Sequence, residues 1–280
     1  VEGGGQQVRH QLLADARRVL GEADRAPNAS ELAQMERLVV EAMRDGSLGL
    51  SAGLEYAPGT FAAESELAAL ARQAGRAGGL FAVHLRTEGN GIEEALEEAL
   101  RVSDRAAVAL HLSHLKPVGP HNWGRSASLL ARLDERRRRG ARITHDLYPY
   151  TASSTDLSVL FSRPFLAAGA GRWRERLRDP GFREQARRDL LATLHAQGWP
   201  DLSFAQVAYF SPQPRWNGRR IRQIAQEMAP GDDPLRADTE AVLHLLSEGG
   251  AQMIYHNIAE ADTDAVFASP WTMVGSDSNI

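Results

Sequence analysis

Apolar and polar positions follow a repeated two-part pattern over the first half of the chain. Short apolar segments lie at 47–53, 79–86, 107–116 and 141–150, and amphipathic helical patterns lie between them at 64–77, 91–104 and 124–139. Corresponding points of the four apolar segments are Ser51, His84, His114 and Asp146, at spacings of 33, 30 and 32 residues. One β/α unit has this length, so the pattern predicts parallel strands joined by right-handed helical crossovers.

Two more helices are predicted before these units, at 7–20 and 29–45. The second has Asn28 and Ser30 as candidate N-terminal caps, and Gly46 marks its end. Both patterns are amphipathic.

The regular spacing is lost after Ser154. Helical patterns lie at 172–196 and 219–228, and FAQVAYF has the composition of a strand. We interpret 160–250 as an insertion or lid. Apolar segments return in QMIYHNI and TMVGSDS, which we expect to be further strands of the main sheet, giving it about six strands.

Polar residues are concentrated where each apolar segment ends, as in a TIM barrel whose chemistry lies at the carboxyl ends of the strands. A doubly wound sheet is the alternative, but no GxGxxG opens a helix after a strand. We predict an α/β fold, a partial TIM (β/α)8 barrel with an inserted helical segment before the last strand. Residues 1–280 would form one catalytic barrel, and its remaining strands would precede Val1.

Composition and charge exclude several classes of function and metal ligand. The 280 residues are 43% hydrophobic and 24% charged, as in ordinary globular proteins. The net charge of −4 provides no basic surface for nucleic acid, and no apolar run is long enough for a membrane span. The chain has no cysteine, so a metal ion would be held by His, Asp or Glu. Lys116 is the one lysine among 32 basic residues.

His84 and His114 are the candidate metal ligands. Neighbouring parallel strands lie about 4.8 Å apart, so imidazoles at their ends can converge on one ion such as zinc. The alternative is a pair of buried core histidines. Asp277 ends the last apolar segment and is a candidate ligand or base. His111, three residues before His114, is expected on the opposite face against a helix.

A second group of polar side chains follows the predicted strands: Lys116, Tyr148, Tyr150, Ser153 and Ser154. An ammonium beside hydroxyls suits a carboxylate, and a phenol can donate to a developing oxyanion. The alternative is that these residues are solvated loop positions.

Five motifs in order along the chain resemble segments of the N-acyl-D-amino-acid deacylases (D-aminoacylases) of the amidohydrolase superfamily. They are GSLGLSAGLEYAPGTFA at 46–62, GGLFAVHLRTEG at 78–89, SHLKPVGPHNWG at 113–124, DLYPYTASSTDL at 146–157 and SPWTMVGSD at 269–277. The resemblance implies a metal-dependent amidohydrolase barrel that hydrolyses the linear amide of N-acyl-D-amino acids. It also implies Zn2+ as cofactor, with one tightly bound ion and a second, weak site. The expected partner is the small-molecule substrate, and the expected location is cytoplasmic.

The resemblance also implies a role for each matching residue. His84 and His114 would bind zinc, and Asp277 would be a further ligand and the acid/base that handles the proton of the attacking water. Lys116 would bind the substrate carboxylate. The other substrate-binding positions would be Tyr148, Ser154, Tyr56 and Arg86.

The sequence departs from the family at several points. The family's HxH pair and bridging cysteine are absent, and both would precede Val1. Thr87 and Ser278 stand where the family commonly has an acidic residue and a glycine. Two other hypotheses stay open: a cyclic-amide or hydantoin hydrolase, and a catalytically incomplete barrel that binds a small carboxylate.

Overall fold

The computed structural model describes residues 12–21, 24–162, 165, 172–228 and 233–277. They divide into two compact units. The first unit comprises 12–117, 124–149 and 261–277, and the second comprises 118–123 and 150–260. Ser278 and the start of the helix predicted at 7–20 lie outside the described residues.

The first unit is a parallel β-sheet with helices. Its strands are β1 (Gly49–Gly53), β2 (Leu80–His84), β3 (Ala109–Leu112), β4 (Ile143–Leu147) and β8 (Thr272–Val274). Its helices are α1 (Leu12–Arg17), α2 (Ala29–Arg44), α3 (Glu64–Arg76), α4 (Ile92–Ala106), α5 (Ser126–Arg138) and α10 (Glu260–Phe267), the last beginning at the unit boundary. The strands pair in the order β1-β2-β3-β4-β8, all in parallel. This is the order of consecutive β/α units in a barrel wall.

The two faces of this sheet differ in burial. In β2, Phe81 and Val83 are fully buried in the hydrophobic core, together with Leu96 of α4 and Leu110 of β3. Alternate residues, such as His84, are partly exposed. Because side chains alternate along a strand, the face away from the helices carries the polar residues. The candidate functional residues of the strands are therefore expected on the face of the sheet that points away from the helices.

Gly49 is required by the close approach of β1 and β2. A Cβ atom at this position would lie 2.1 Å from the carbonyl oxygen of Leu80. A side chain at this position would therefore disturb the pair Gly49↔Leu80, the first in the β1–β2 register.

Helix α2 begins as its sequence predicts. Asn28 is the N-cap, and its side chain accepts hydrogen bonds from the backbone amides of Ser30 and Glu31. The Glu31 carboxylate accepts from the Asn28 amide in return, which completes a capping box. Ser30 is a helical residue here and not the cap.

The second unit contains an antiparallel sheet of β5 (Ser153–Asp156), β7 (Gln252–Tyr255) and β6 (Ala205–Tyr209), in that order. Its helices are α6 (Trp173–Arg176), α7 (Pro180–Gln197), α8 (Ile221–Met228) and α9 (Pro234–Ser247). Leu190, Val207, Leu243 and Met253 are among its fully buried core residues.

The prediction that QMIYHNI belongs to the main sheet is wrong. Its strand, β7, pairs antiparallel with β5 and β6 in the second unit. A short apolar run shows that a strand is buried, but it does not identify the partner. The other returning segment does join the main sheet, where β8 pairs with β4 in the register His145↔Thr272. Among the described helices, none has the length and apolar character needed to cross a membrane.

Candidate metal centre

The ends of β2 and β3 bring two imidazole rings together. His84 is the last residue of β2, and His114 follows β3 by two residues with a left-handed backbone (φ 39°). His84 Nδ1 and His114 Nε2 lie 2.9 Å apart, with ring centroids at 4.4 Å. The structure thus brings together the two histidines predicted at these positions.

Each imidazole ring has a carboxylate oxygen within hydrogen-bond distance of one of its nitrogens. Glu55 Oε2 lies 2.8 Å from His84 Nε2, and Glu88 Oε1 lies 2.9 Å from His114 Nδ1. Each imidazole therefore turns one nitrogen to the other ring and its second nitrogen to a carboxylate. Metal-binding histidines in proteins have this arrangement, because the outer hydrogen bond fixes the tautomer and ring orientation.

The donor atoms fit a metal ion. Ligand atoms of His84, Glu88 and His114 all lie within 4.8 Å of one another. Two nitrogens at this separation can both reach the usual zinc–nitrogen distance of about 2.0–2.1 Å. Asp277 lies outside this group, as an exposed residue with φ 49° after β8.

Lys116 is buried beside the centre. Its Nζ lies 2.6 Å from Glu88 Oε1 and 3.0 Å from His114 Nδ1, and its exposed fraction is 3%. Burial opposes the charged form of Lys116, but the Glu88 carboxylate outweighs it and raises the lysine pKa. Burial likewise opposes ionisation of Glu88, but Lys116 and His114 hold the pKa of Glu88 well below its usual range. Both groups are therefore charged at neutral pH.

Asp146 of β4 holds the backbone of His114. One carboxylate oxygen accepts from the His114 amide, and the other lies 2.9 Å from His111 Nε2. Burial acts to raise the pKa of Asp146, but these two hydrogen bonds lower it overall. The expectation that His111 packs against a helix on the opposite face is wrong. Strand alternation does not extend from His111 to His114, because β3 ends at Leu112.

The rings of Tyr56 and Tyr148 lie near the two imidazole rings. The Tyr56 ring is 5.2 Å from that of His84, and the Tyr148 ring is 6.3 Å from that of His114. Lys116 Nζ lies 5.3 Å from the centroid of Tyr148. Burial raises the pKa of Tyr148 to about 12, so its phenol stays protonated at neutral pH.

Arg86 is engaged elsewhere. Its guanidinium makes two 2.7 Å hydrogen bonds to the Glu98 carboxylate and donates to the carbonyls of Thr60 and Ala62. This arrangement ties the segment after β1 to helix α4. The pocket-lining role that the resemblance implies for Arg86 stays a prediction.

Ser154 and His256 lie in the second unit. The Ser154 hydroxyl donates to the Met253 carbonyl at 3.0 Å, within the antiparallel sheet. His256 has its Nε2 2.9 Å from the Gln206 side-chain oxygen.

Sequence reasoning missed Glu88 and the contact made by Glu55. Glu88 follows His84 by four residues, and Glu55 follows Gly53 at the end of β1. An acidic residue shortly after a strand that ends in the candidate site was the available signal in both cases.

Parallel strands with paired histidines at their carboxyl ends are the architecture of the metal-dependent barrel hydrolases. Comparison with known proteins identifies the particular relatives. The chain is 39% identical over 165 residues to the N-acyl-D-glutamate deacylase of Alcaligenes xylosoxydans xylosoxydans, covering 52% of the chain and 34% of that protein. It is 29% identical over 270 residues to the D-aminoacylase of the same organism, covering 96% and 46%. No protein-family profile matches the chain.

Among solved structures, an N-acyl-D-glutamate deacylase from Bordetella bronchiseptica superposes with a TM-score of 0.71 at 30% identity. The match covers 94% of this chain and 46% of that chain. That structure contains zinc and a phosphonate inhibitor that mimics the tetrahedral intermediate of the reaction. The α/β fold and the resemblance to D-aminoacylases are thus confirmed. It spans less than half the length of each of these relatives.

Proposed function

We propose that this protein hydrolyses the amide bond of N-acyl-D-amino acids, releasing a carboxylate and the free D-amino acid. The observation that carries the proposal is the pair of facing nitrogens, His84 Nδ1 and His114 Nε2, 2.9 Å apart at adjacent strand ends. The similar deacylases indicate deacylation as the reaction to test at these two histidines. A cyclic-amide substrate is less favoured, because the relatives act on open-chain N-acyl amino acids.

His84 and His114 would hold a zinc ion as the tight site. Zinc supplies a Lewis acid that polarises the acyl carbonyl and makes water a better nucleophile. The weak second site implied by the resemblance stays a prediction, as does the cytoplasmic location.

Lys116 would bind the α-carboxylate of the substrate. The site already provides its counter-charge, Glu88, so the ammonium stays charged while buried. The ammonium has three N–H donors, so a substrate carboxylate would replace one of the contacts that Lys116 makes with Glu88 and His114.

Tyr148 would stabilise the negative charge of the transition state, and Asp277 would transfer protons. The Tyr148 phenol, protonated because its pKa is raised to about 12, can donate a hydrogen bond to a developing oxyanion. Asp277, in the segment after β8, would take a proton from the attacking water and return it to the leaving amine. Ser154 stays a predicted substrate residue on the resemblance alone.

N-acetyl-D-glutamate is the first substrate to test, because the 39% identical relative acts on an N-acyl-D-glutamate. We expect the zinc-loaded protein to release free D-glutamate, and His114→Ala to lose both zinc and activity. The matched control is His195→Ala, an exposed histidine of α7, which should keep both. Equal rates on the L-enantiomer, or opening of a hydantoin ring in preference to deacylation, would refute the proposed function.

A further inference from the structure

We propose that Glu55 is a positioning residue for the metal ligand His84. The inference rests on the proposed metal site and concerns a residue to which the resemblance assigns no role. Glu55 would fix the His84 tautomer with the proton on Nε2, so that the Nδ1 lone pair points toward the ion.

The hydrogen-bond geometry supports this tautomer. A neutral imidazole has one N–H and one lone pair, and an ionised carboxylate can only accept hydrogen bonds. Glu55 Oε2 lies 2.8 Å from His84 Nε2, so this nitrogen is the donor. Nδ1 then keeps its lone pair, on the side where His114 Nε2 lies 2.9 Å away.

The backbone holds Glu55 in place. Gly53 pairs with His84 in the β1–β2 register, and the Leu54 amide donates to the His84 carbonyl at 3.1 Å. The parallel pairing therefore continues one residue past β1, up to the position just before Glu55. Tyr56 packs its ring against His84 with centroids 5.2 Å apart, so consecutive residues contact the imidazole.

The two histidines differ in how many groups orient them. His114 is buried, with Glu88 and Lys116 near Nδ1 and Asp146 at its backbone amide. His84 is less buried, and within the described chain Glu55 is the carboxylate hydrogen-bonded to its ring. Removal of Glu55 should therefore free the His84 ring to rotate or to change tautomer, while His114 stays held.

The test compares zinc binding by Glu55→Ala, Glu55→Asp and the control Glu94→Gln in the full chain. Glu94 is a 76% exposed carboxylate on α4. Zinc dissociation constants come from competition with a chromophoric chelator, and cobalt absorption spectra report the ligand geometry. We expect Glu55→Ala to weaken zinc binding about 10- to 100-fold, the range for lost outer hydrogen bonds to metal ligands. Glu94→Gln should match the wild type, and in the presence of a chelator the urea midpoints of all variants should match it as well.

A double-mutant cycle separates positioning from direct ligation. If Glu55 acts through His84, Glu55→Ala has no further effect in a His84→Asn background. An equal loss in both backgrounds, or a wild-type zinc affinity for Glu55→Ala, would overturn the proposal. Failure of deacylation with normal zinc binding would refute the proposed function and leave this inference standing. A wild-type chain that takes up no zinc would refute both.

Discussion

His145, on the buried side of β4, should make the first unit sensitive to acid. Arg137 Nη2 donates to His145 Nδ1 at 3.1 Å, and His145 Nε2 lies 2.8 Å from the Thr272 hydroxyl. That hydroxyl donates to the Val266 carbonyl, so the proton of the neutral imidazole sits on Nε2. Burial, together with the charge of Arg137, lowers the pKa of His145 to about 4.

The direction and size of the change in the free energy of unfolding follow from the difference in His145 pKa between the folded and unfolded states. Above the ordinary histidine pKa of about 6.5, both the folded and the unfolded states carry a neutral ring. As the pH falls from about 6.5 to about 4, the unfolded chain gains a proton at His145 and the folded chain does not, so the free energy of unfolding decreases. At about 1.36 kcal/mol per pKa unit, the total loss is about 3 kcal/mol.

The assay is urea unfolding at several pH values in the presence of a chelator, followed by hydrogen exchange of peptides that contain β4. The wild type should lose about 3 kcal/mol more stability between pH 7 and pH 4 than His145→Asn. His195→Asn, at an exposed position, controls for the loss of one histidine. Parallel pH profiles for the wild type and His145→Asn would refute the reasoning.

Two further predictions concern stability. Glu88→Gln leaves the buried Lys116 without its counter-charge and should cost about 3–5 kcal/mol, read from urea midpoints. Adding Lys116→Met should recover most of that loss, and a Glu88→Gln variant as stable as the wild type would contradict the buried pair. Asn28→Ala removes the capping box of α2 and should cost about 1 kcal/mol by the same assay. An unchanged midpoint would show that α2 does not depend on its cap.

The sequence predicted the parallel strands well because their signals are local. Strands β1 to β4 fall inside the predicted segments, since apolar runs and a 30-residue spacing need no knowledge of partners. Pairing is not local, so the sequence does not predict β5 and places β7 in the wrong sheet. Helix α9 was missed although Asp233 and Pro234 provide an N-cap and a first-turn proline.

The part of the candidate metal centre that lies at strand ends was predictable, because its signal is also local in the sequence. His84 and His114 sit at strand ends, where spacing along the chain determines neighbours in space. Glu55 and Glu88 lie in loops, and the direction of a loop side chain depends on turns that the pattern does not encode. His111 was placed on the wrong face because the chain leaves regular strand geometry before the left-handed His114.

The pairing of β4 with β8 also bears on how the nascent chain folds. His145 and Thr272 are adjacent in the sheet but 127 residues apart in sequence. A ribosome that adds about 5–20 residues per second leaves an interval of about 6–25 s between the synthesis of the two strands. Throughout that interval β4 has an open edge, and an open edge can pair with a strand of another molecule. Slower translation and a low supply of chaperones should therefore lower the yield of folded protein.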